Sequence, residues 1–218
     1  MGEQVGLRER KKQRTRWAIS SAAVRLFQES GFDQVSVADV AAAAEVSKPT
    51  LFAYFPTKED LVLHRFADHE TEAARVVRER ADDEAPLAAL RRHFLDGLDR
   101  HDPITGLNDT RDVLEFQHLL YSTPALLARL PAYILRGEEA LADALADIDG
   151  TDPFAARIAA GHIVATQRVL STRNVEEMRI GRTATDVHPE AVARAHAAFD
   201  LLENGLGTDF GGSSPVRR

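Results

Sequence analysis

The sequence predicts an all-α protein: a three-helix unit at the N-terminus, followed by a larger helical body. Three observations predict it. Ala, Leu, Arg and Glu dominate the composition, and no stretch alternates apolar and polar residues for long enough to make a strand. Apolar residues recur at three- and four-residue spacing. Capping residues followed by proline, as in Thr123-Pro124 and Asp152-Pro153, mark helix starts.

The first helix is expected over about 9–29, where Ile19, Ala22, Ala23, Leu26 and Phe27 fall on one face. Gly31 suits the left-handed residue that often ends a helix. Ser36 caps a second, short helix, with Asp39 at its positive end and Val37, Val40, Ala41 and Ala44 as its buried stripe. Ser47 caps a third, with Pro49 in the first turn, where a backbone N–H has no helical partner. Thr57 caps a fourth that runs over 58–80 and connects the two parts of the chain.

The joint Asp82-Asp83-Glu84-Ala85-Pro86 precedes helices at about 86–100, 108–121, 124–148, 153–175 and 189–204. Pro131 is expected to kink or split the 124–148 helix, and Pro189 to sit in a first turn. The domain plan is therefore 1–57, 58–204 and a Gly- and Ser-rich tail, 205–218, expected to be disordered.

Charge is distributed unevenly. Residues 1–28 carry seven Lys and Arg against Glu3 and Glu9, a net +5, while the whole chain is −7 and the remainder therefore −12. A basic arm on an acidic body points to a polyanion at one end, although a solvated tail has the same composition. The absence of Cys excludes disulfides and thiol catalysis. No run approaches the roughly 18 apolar residues of a membrane span, and no apolar segment follows the N-terminal charges as in a secretory signal, so the expected location is cytoplasmic.

Two short helices joined by Ala44-Glu45-Val46 form a helix-turn-helix pattern. Leu51 and Phe55, four apart, face inward, leaving Lys48, Pro49, Thr50, Ala53 and Tyr54 outward on the half of the helix that enters a major groove. Lys48 can donate to guanine O6 or N7; Thr50 can meet a phosphate or a thymine methyl. The Tyr54 hydroxyl and Lys58, beside free helix N–H groups, suit phosphates.

The series Ile19…Ala22-Ala23…Leu26-Phe27…Gly31-Phe32…Val37…Asp39-Val40-Ala41…Ala44…Val46-Ser47-Lys48-Pro49-Thr50-Leu51-Phe52…Tyr54-Phe55…Lys58-Glu59…Leu61 resembles the TetR family of bacterial transcriptional regulators, over about residues 15–61. The resemblance implies an all-helical homodimer, usually a repressor, whose larger domain binds a small molecule and pairs with its twin. Effector binding then swings the fourth helix and takes the two heads out of register with a palindromic operator in double-stranded DNA. It implies DNA contact by Lys48, Pro49, Thr50, Ala53, Tyr54 and Lys58, by Ser36 near a phosphate, and by the arm through Arg14 and Arg16. Ala38 departs from the pattern, standing where some relatives carry a base-reading arginine, so readout is expected to lean on the third helix.

The body carries no motif that fixes a ligand, and no cofactor is expected. Polar and aromatic residues on its otherwise apolar helices are the candidates for an effector: His93, Phe94, Phe116, Gln117, His118, Tyr121, Tyr133, His162 and Arg168. Each of them, taken singly, is also an ordinary core or surface residue. His64 and His69, near Asp68 and Glu72, are five apart, which is poor spacing for a shared metal. Ile158, His162, Ala165 and Val169, with Val192, His196, Phe199 and Leu202, are the dimer interface implied by resemblance; their periodicity alone equally fits an intramolecular core. Two other readings remain open from the residues, a helical enzyme or a protein-binding module that keeps a helix-turn-helix as scaffold. Against an enzyme stand the missing Cys, metal-ligand spacing and Gly-rich phosphate loop.

Overall fold

Helix follows helix through the computed structural model, which describes residues 2–67 and 69–205; the tail expected to be disordered lies, beyond Gly205, outside them. In chain order the helices are α1 (Gly2–Ser30), α2 (Val37–Ala43), α3 (Lys48–Tyr54), α4 (Asp60–Ala67), α5 (Glu72–Glu79), α6 (Pro86–Asp99), α7 (Arg111–Ser122), α8 (Pro124–Ala146), α9 (Pro153–Arg179) and α10 (Ala184–Asn204). A single 3₁₀ turn, Pro103–Thr105, lies between α6 and α7.

The helices form two units. The first comprises Met1–Asp68 and Glu115–Tyr133; the second comprises His69–Leu114 and the chain from Ile134 onward. The sequence reading instead ended the first domain at 57 and ran one helix over 58–80. That helix is broken: α4 ends at Ala67 and α5 begins at Glu72. His69 and Glu72 pair at 2.6 Å, Glu72 takes His93 of α6 at 3.1 Å, and Glu70 takes Arg136 of α8.

The core of the first unit is built from Ile19, Ala23 and Phe27 of α1, Val40 and Ala41 of α2, Leu51 of α3 and Leu61 to Leu63 of α4. Phe116, Leu119 and Leu120 of α7 and Leu126 of α8 complete it. Two interactions fix α4 within this core. Ser20 Oγ donates to the Leu61 carbonyl at 2.7 Å, and Asp60 accepts from Arg129 Nη2 and from the Tyr133 hydroxyl of α8 at 3.0 and 3.1 Å. Burial alone would raise the Asp60 carboxyl, but bonds from Thr57, Tyr133 and Arg129 hold it below the usual carboxylate range.

The second unit packs α5, α6, the later part of α8, α9 and α10 around Leu90, Phe94, Leu98, Leu141 and Phe199. Ala156, Ala160, Ala191 and Ala195 are buried, and their small side chains let α9 and α10 approach closely. Gly106, at φ +74°, brings the loop before α7 onto α9, where a Cβ would stand 2.2 Å from the Ser171 carbonyl oxygen. Asn174 then donates to the Thr105 carbonyl at 2.9 Å.

Two helix starts differ from the sequence reading. α1 starts at Gly2 rather than near residue 9, so the basic arm is helix. Pro131 lies inside α8, which it does not split. The last helix begins at Ala184, where Thr183 accepts from Asp186 N at 3.1 Å, so Pro189 lies in its second turn and removes one backbone bond.

The His69 and His93 bonds hold Glu72 far below the usual carboxylate range, against its burial. A carboxyl depressed in the folded state stabilises that state above its unfolded pKa of about 4.3, and the gain is lost as the pH falls. Urea-unfolding free energies should therefore decline from about pH 5 downward, and Glu72→Gln should flatten that decline. An unaltered profile in the variant would remove Glu72 as its source.

Candidate nucleic-acid interface

The geometry of α2 and α3 starts with their caps, because seven-residue helices have little stability of their own. Ser36 Oγ accepts from Asp39 N at 3.2 Å while Asp39 Oδ2 accepts from Ser36 N at 2.8 Å, a reciprocal capping box. The Ser36 hydroxyl also donates to Asp39 at 2.7 Å, and these Ser36 bonds hold the Asp39 carboxyl below its ordinary range. Ser36 is exposed, with its side chain already engaged in the cap. Ser47 caps α3 by its side chain alone, accepting from Thr50 N at 3.1 Å.

Between the two helices Glu45 takes φ +54°, a left-handed conformation that costs a non-glycine residue about 1 kcal/mol. Bonds from Glu45 N to the Ala42 carbonyl and from Val46 N to the Ala41 carbonyl fix this turn. It sets the direction in which α3 leaves α2.

α3 is anchored by Leu51 and by Phe55 just beyond its end, both buried. The outer face presents Lys48, Pro49, Thr50 and Ala53, all exposed, while Tyr54 is half-buried against the core. Phe52 joins that outer face, 48% exposed, three residues from Pro49 and four from Lys48. The sequence reading did not include it among the DNA-facing residues. The i, i+3, i+4 spacing from Pro49 and Lys48 is the signal that finds it.

Lys58, expected at a phosphate, is engaged within the protein. Its ammonium is bonded to the Phe32 carbonyl and lies 4.4 Å from the Phe32 ring centroid and 5.3 Å from that of Phe27. The side chain fastens the start of α4 to the end of α1. Arg14 is exposed on α1; Arg16 is half-buried, its guanidinium 5.9 Å from the Phe55 ring centroid.

The nine effector candidates fall in both units. Phe116, Gln117, His118, Tyr121 and Tyr133 belong to the first unit, whereas His93, Phe94, His162 and Arg168 belong to the second. Phe116 and Phe94 are core residues, and Arg65 lies 4.9 Å from the Phe116 ring centroid. His93 is engaged with Glu72 and Tyr133 with Asp60. His118, His162 and Arg168 are exposed. Gln117 differs from these: it is buried, and its Oε1 has no hydrogen-bond partner.

The expected dimer residues divide as well. Ile158, His162, Ala165 and Val169 form an exposed stripe on α9, Val169 at 58%. On α10, Phe199 is a core residue 6.2 Å from the Phe94 ring, and Val192 and Leu202 pack beside the same core. His196 is exposed and bonded to Arg91. Phe199 is therefore part of its own chain's core.

Residues 19–64 match the family model for bacterial regulatory proteins of the tetR family. Across 213 residues the chain is 30% identical to the HTH-type transcriptional regulator TcmR of Streptomyces glaucescens, covering 94% of this chain and 90% of that one. The fold is similar to that of NalD, the secondary repressor of the MexAB-OprM multidrug efflux pump in Pseudomonas aeruginosa (TM-score 0.54, 18% identity, 85% of this chain and 97% of NalD). It is equally similar to SmeT, solved as a complex with triclosan (TM-score 0.54, 16% identity, 94% of this chain and 99% of SmeT).

The Lys58 geometry has a direct consequence. Lys58→Met should lower stability by about 1–2 kcal/mol in urea unfolding, through the lost carbonyl bond and ring contacts. The salt dependence of DNA affinity should stay that of the parent. A slope reduced by about 1 per head would instead return Lys58 to the phosphates.

Proposed function

Since the chain belongs to the TetR family of bacterial regulatory proteins, a family of DNA-binding transcriptional regulators, we propose that it is a repressor that binds a palindromic operator as a homodimer and is released by a small molecule. The observation that carries the DNA-binding part is the outer face of α3. Lys48, Pro49, Thr50, Phe52 and Ala53 are exposed together on a helix whose other side is locked by Leu51 and Phe55. A helix held on one side, with a cation at its first position and an aromatic one turn on, suits major-groove readout: Lys48 on guanine, Phe52 and Thr50 on thymine methyls. Ser36 and Tyr54, with Arg14 and Arg16 of α1, take phosphates.

The exposed α9 stripe supports the homodimer, since apolar residues repeated along one helix face suit a two-fold contact with a second copy. For the effector, Gln117 is the best-suited candidate, because a buried carbonyl oxygen without a partner favours a ligand that donates a hydrogen bond. The proposed location is the cytoplasm. No helix among the described residues is long and apolar enough to cross a membrane.

The test is selection from random DNA by the purified protein, read by sequencing. A palindrome whose half-sites lie about 34 Å apart, or a multiple of it, is expected. Lys48→Ala should cost about 1–3 kcal/mol of binding and relax preference at a guanine position. No enrichment at low salt from folded protein would overturn the reading in favour of an enzyme or protein-binding module. Independently, Val169→Glu should turn the dimer into a monomer by sedimentation velocity and greatly weaken operator binding. A dimer that survives this change would move the interface away from α9.

A further inference from the structure

The helix-turn-helix carries a charge opposite to that of the arm before it. From Val37 to Tyr54, the first residue of α2 to the last of α3, the charged residues are Asp39, Glu45 and Lys48, a net of 1 − 2 = −1. Residues 1–28, in the same unit, carry +5. The reading helix therefore meets a polyanion with one cation and two carboxylates beside it. Both carboxylates are exposed and firmly mounted. Asp39 accepts from Ser36 N at 2.8 Å and from the Ser36 hydroxyl at 2.7 Å. Those bonds and, more weakly, the charge of Lys48 hold its carboxyl below the ordinary range, so the ammonium lies within its electrostatic reach.

Glu45 stands three residues before Lys48, in the turn that two backbone bonds fix. It takes φ +54°, where a glycine would carry no strain. Among the described residues, neither its carboxylate nor the Lys48 ammonium has a hydrogen bond or ion pair. Strain and an unpaired charge at this position do nothing for folding, so their use lies with the DNA. Lysine is a flexible point charge with two targets on a duplex: a phosphate, which bears a full negative charge, and the O6 and N7 edge of guanine, which bears partial ones. Phosphates flank every base pair, so an unrestrained lysine settles on the backbone of any sequence. A carboxylate beside the ammonium repels a phosphate, charge against charge, more strongly than it repels a neutral base edge. The penalty falls mainly on the contact that carries no sequence information.

We propose that Glu45 and Asp39 are positioning residues for base readout: flanking Lys48, they keep its ammonium off the phosphates and leave guanine as its favoured partner. The inference rests on the DNA-binding function proposed above. The two carboxylates thereby lower affinity for DNA in general and raise the ratio between the operator and other sequences.

The test titrates the full-length protein, by fluorescence anisotropy at several salt concentrations, into two labelled duplexes: the selected palindrome and a shuffled sequence of the same length and composition. Glu45→Gln removes the charge and leaves the side-chain size, with an unchanged circular dichroism spectrum. It should tighten binding of the shuffled duplex by about tenfold, for two heads each relieved of a charge pair about 6 Å apart in water. The palindrome should gain no more than about twofold, since Lys48 is on guanine there. The salt slope for the shuffled duplex should steepen by about 2, for one phosphate gained per head in a dimer. Asp39→Asn, which keeps an acceptor for Ser36 N, should act in the same direction. In a Lys48→Ala background, Glu45→Gln should change both duplexes by the same small factor, because nothing remains for the carboxylate to position.

Equal gains for the two duplexes with Lys48 present, or no gain for either, overturn the inference and leave the recognition helix intact, since the carboxylate would then act as net charge alone or not at all. A loss of palindrome affinity in Glu45→Gln also overturns it, because the carboxylate would then read a base itself, as an acceptor for cytosine N4. Failure of the parent protein to bind either duplex overturns the regulator reading itself, and this inference with it.

Discussion

Everything this chain does with DNA depends on burying Leu51 and Phe55. A helix of seven residues does not persist alone in water, because nucleation costs more than so few hydrogen bonds return. α3 exists because Leu51 and Phe55 sit among Ile19, Phe27 and Val40, and because Ser47 satisfies the amide of Thr50 at its start. Burial of those two side chains contributes roughly 2–3 kcal/mol each. That same burial orients the helix, so Lys48, Pro49, Phe52 and Ala53 are left on the far side. Stability and recognition are thus two faces of one seven-residue segment.

α4 extends the same logic. Its backbone is held to α1 through Ser20, and its first residue, Asp60, receives Arg129 and Tyr133 from α8. A buried carboxylate is tolerable only when its partners are supplied, and here they come from two residues one helical turn apart. Lys58, two residues earlier, is occupied by the Phe32 carbonyl and the rings of Phe27 and Phe32. The start of α4 is consequently fixed at three points, Lys58, Asp60 and Leu61. A change in the position of α8 within this unit bears on α4 through Asp60.

The second unit is held by a different means. Small residues bring α9 and α10 together, and polar groups are buried with their partners rather than excluded. Glu177 is buried between Arg173 and Arg182, and Asn174 joins the 3₁₀ turn to α9 while accepting from Arg194. Removing one partner of such a set leaves an uncompensated charge, which makes the arrangement specific as well as stable. On α9 the apolar side chains of Phe154, Ile158 and Val169 remain exposed.

The sequence by itself determined the helical class, the caps at Ser36, Ser47, Thr57 and Asp152, and the two sides of α3. These depend on spacing and side-chain hydrogen bonds over three or four residues, which are local quantities. Tertiary structure decided what the residues around the break between α4 and α5 meet, because Glu72 finds His93 of α6 and Glu70 finds Arg136 of α8, 21 and 66 residues away. It also decided that Lys58 reaches the Phe32 carbonyl, and that Phe199 is core while Val169 is surface. In each case the residue type fits two environments. Only long-range packing selects between them.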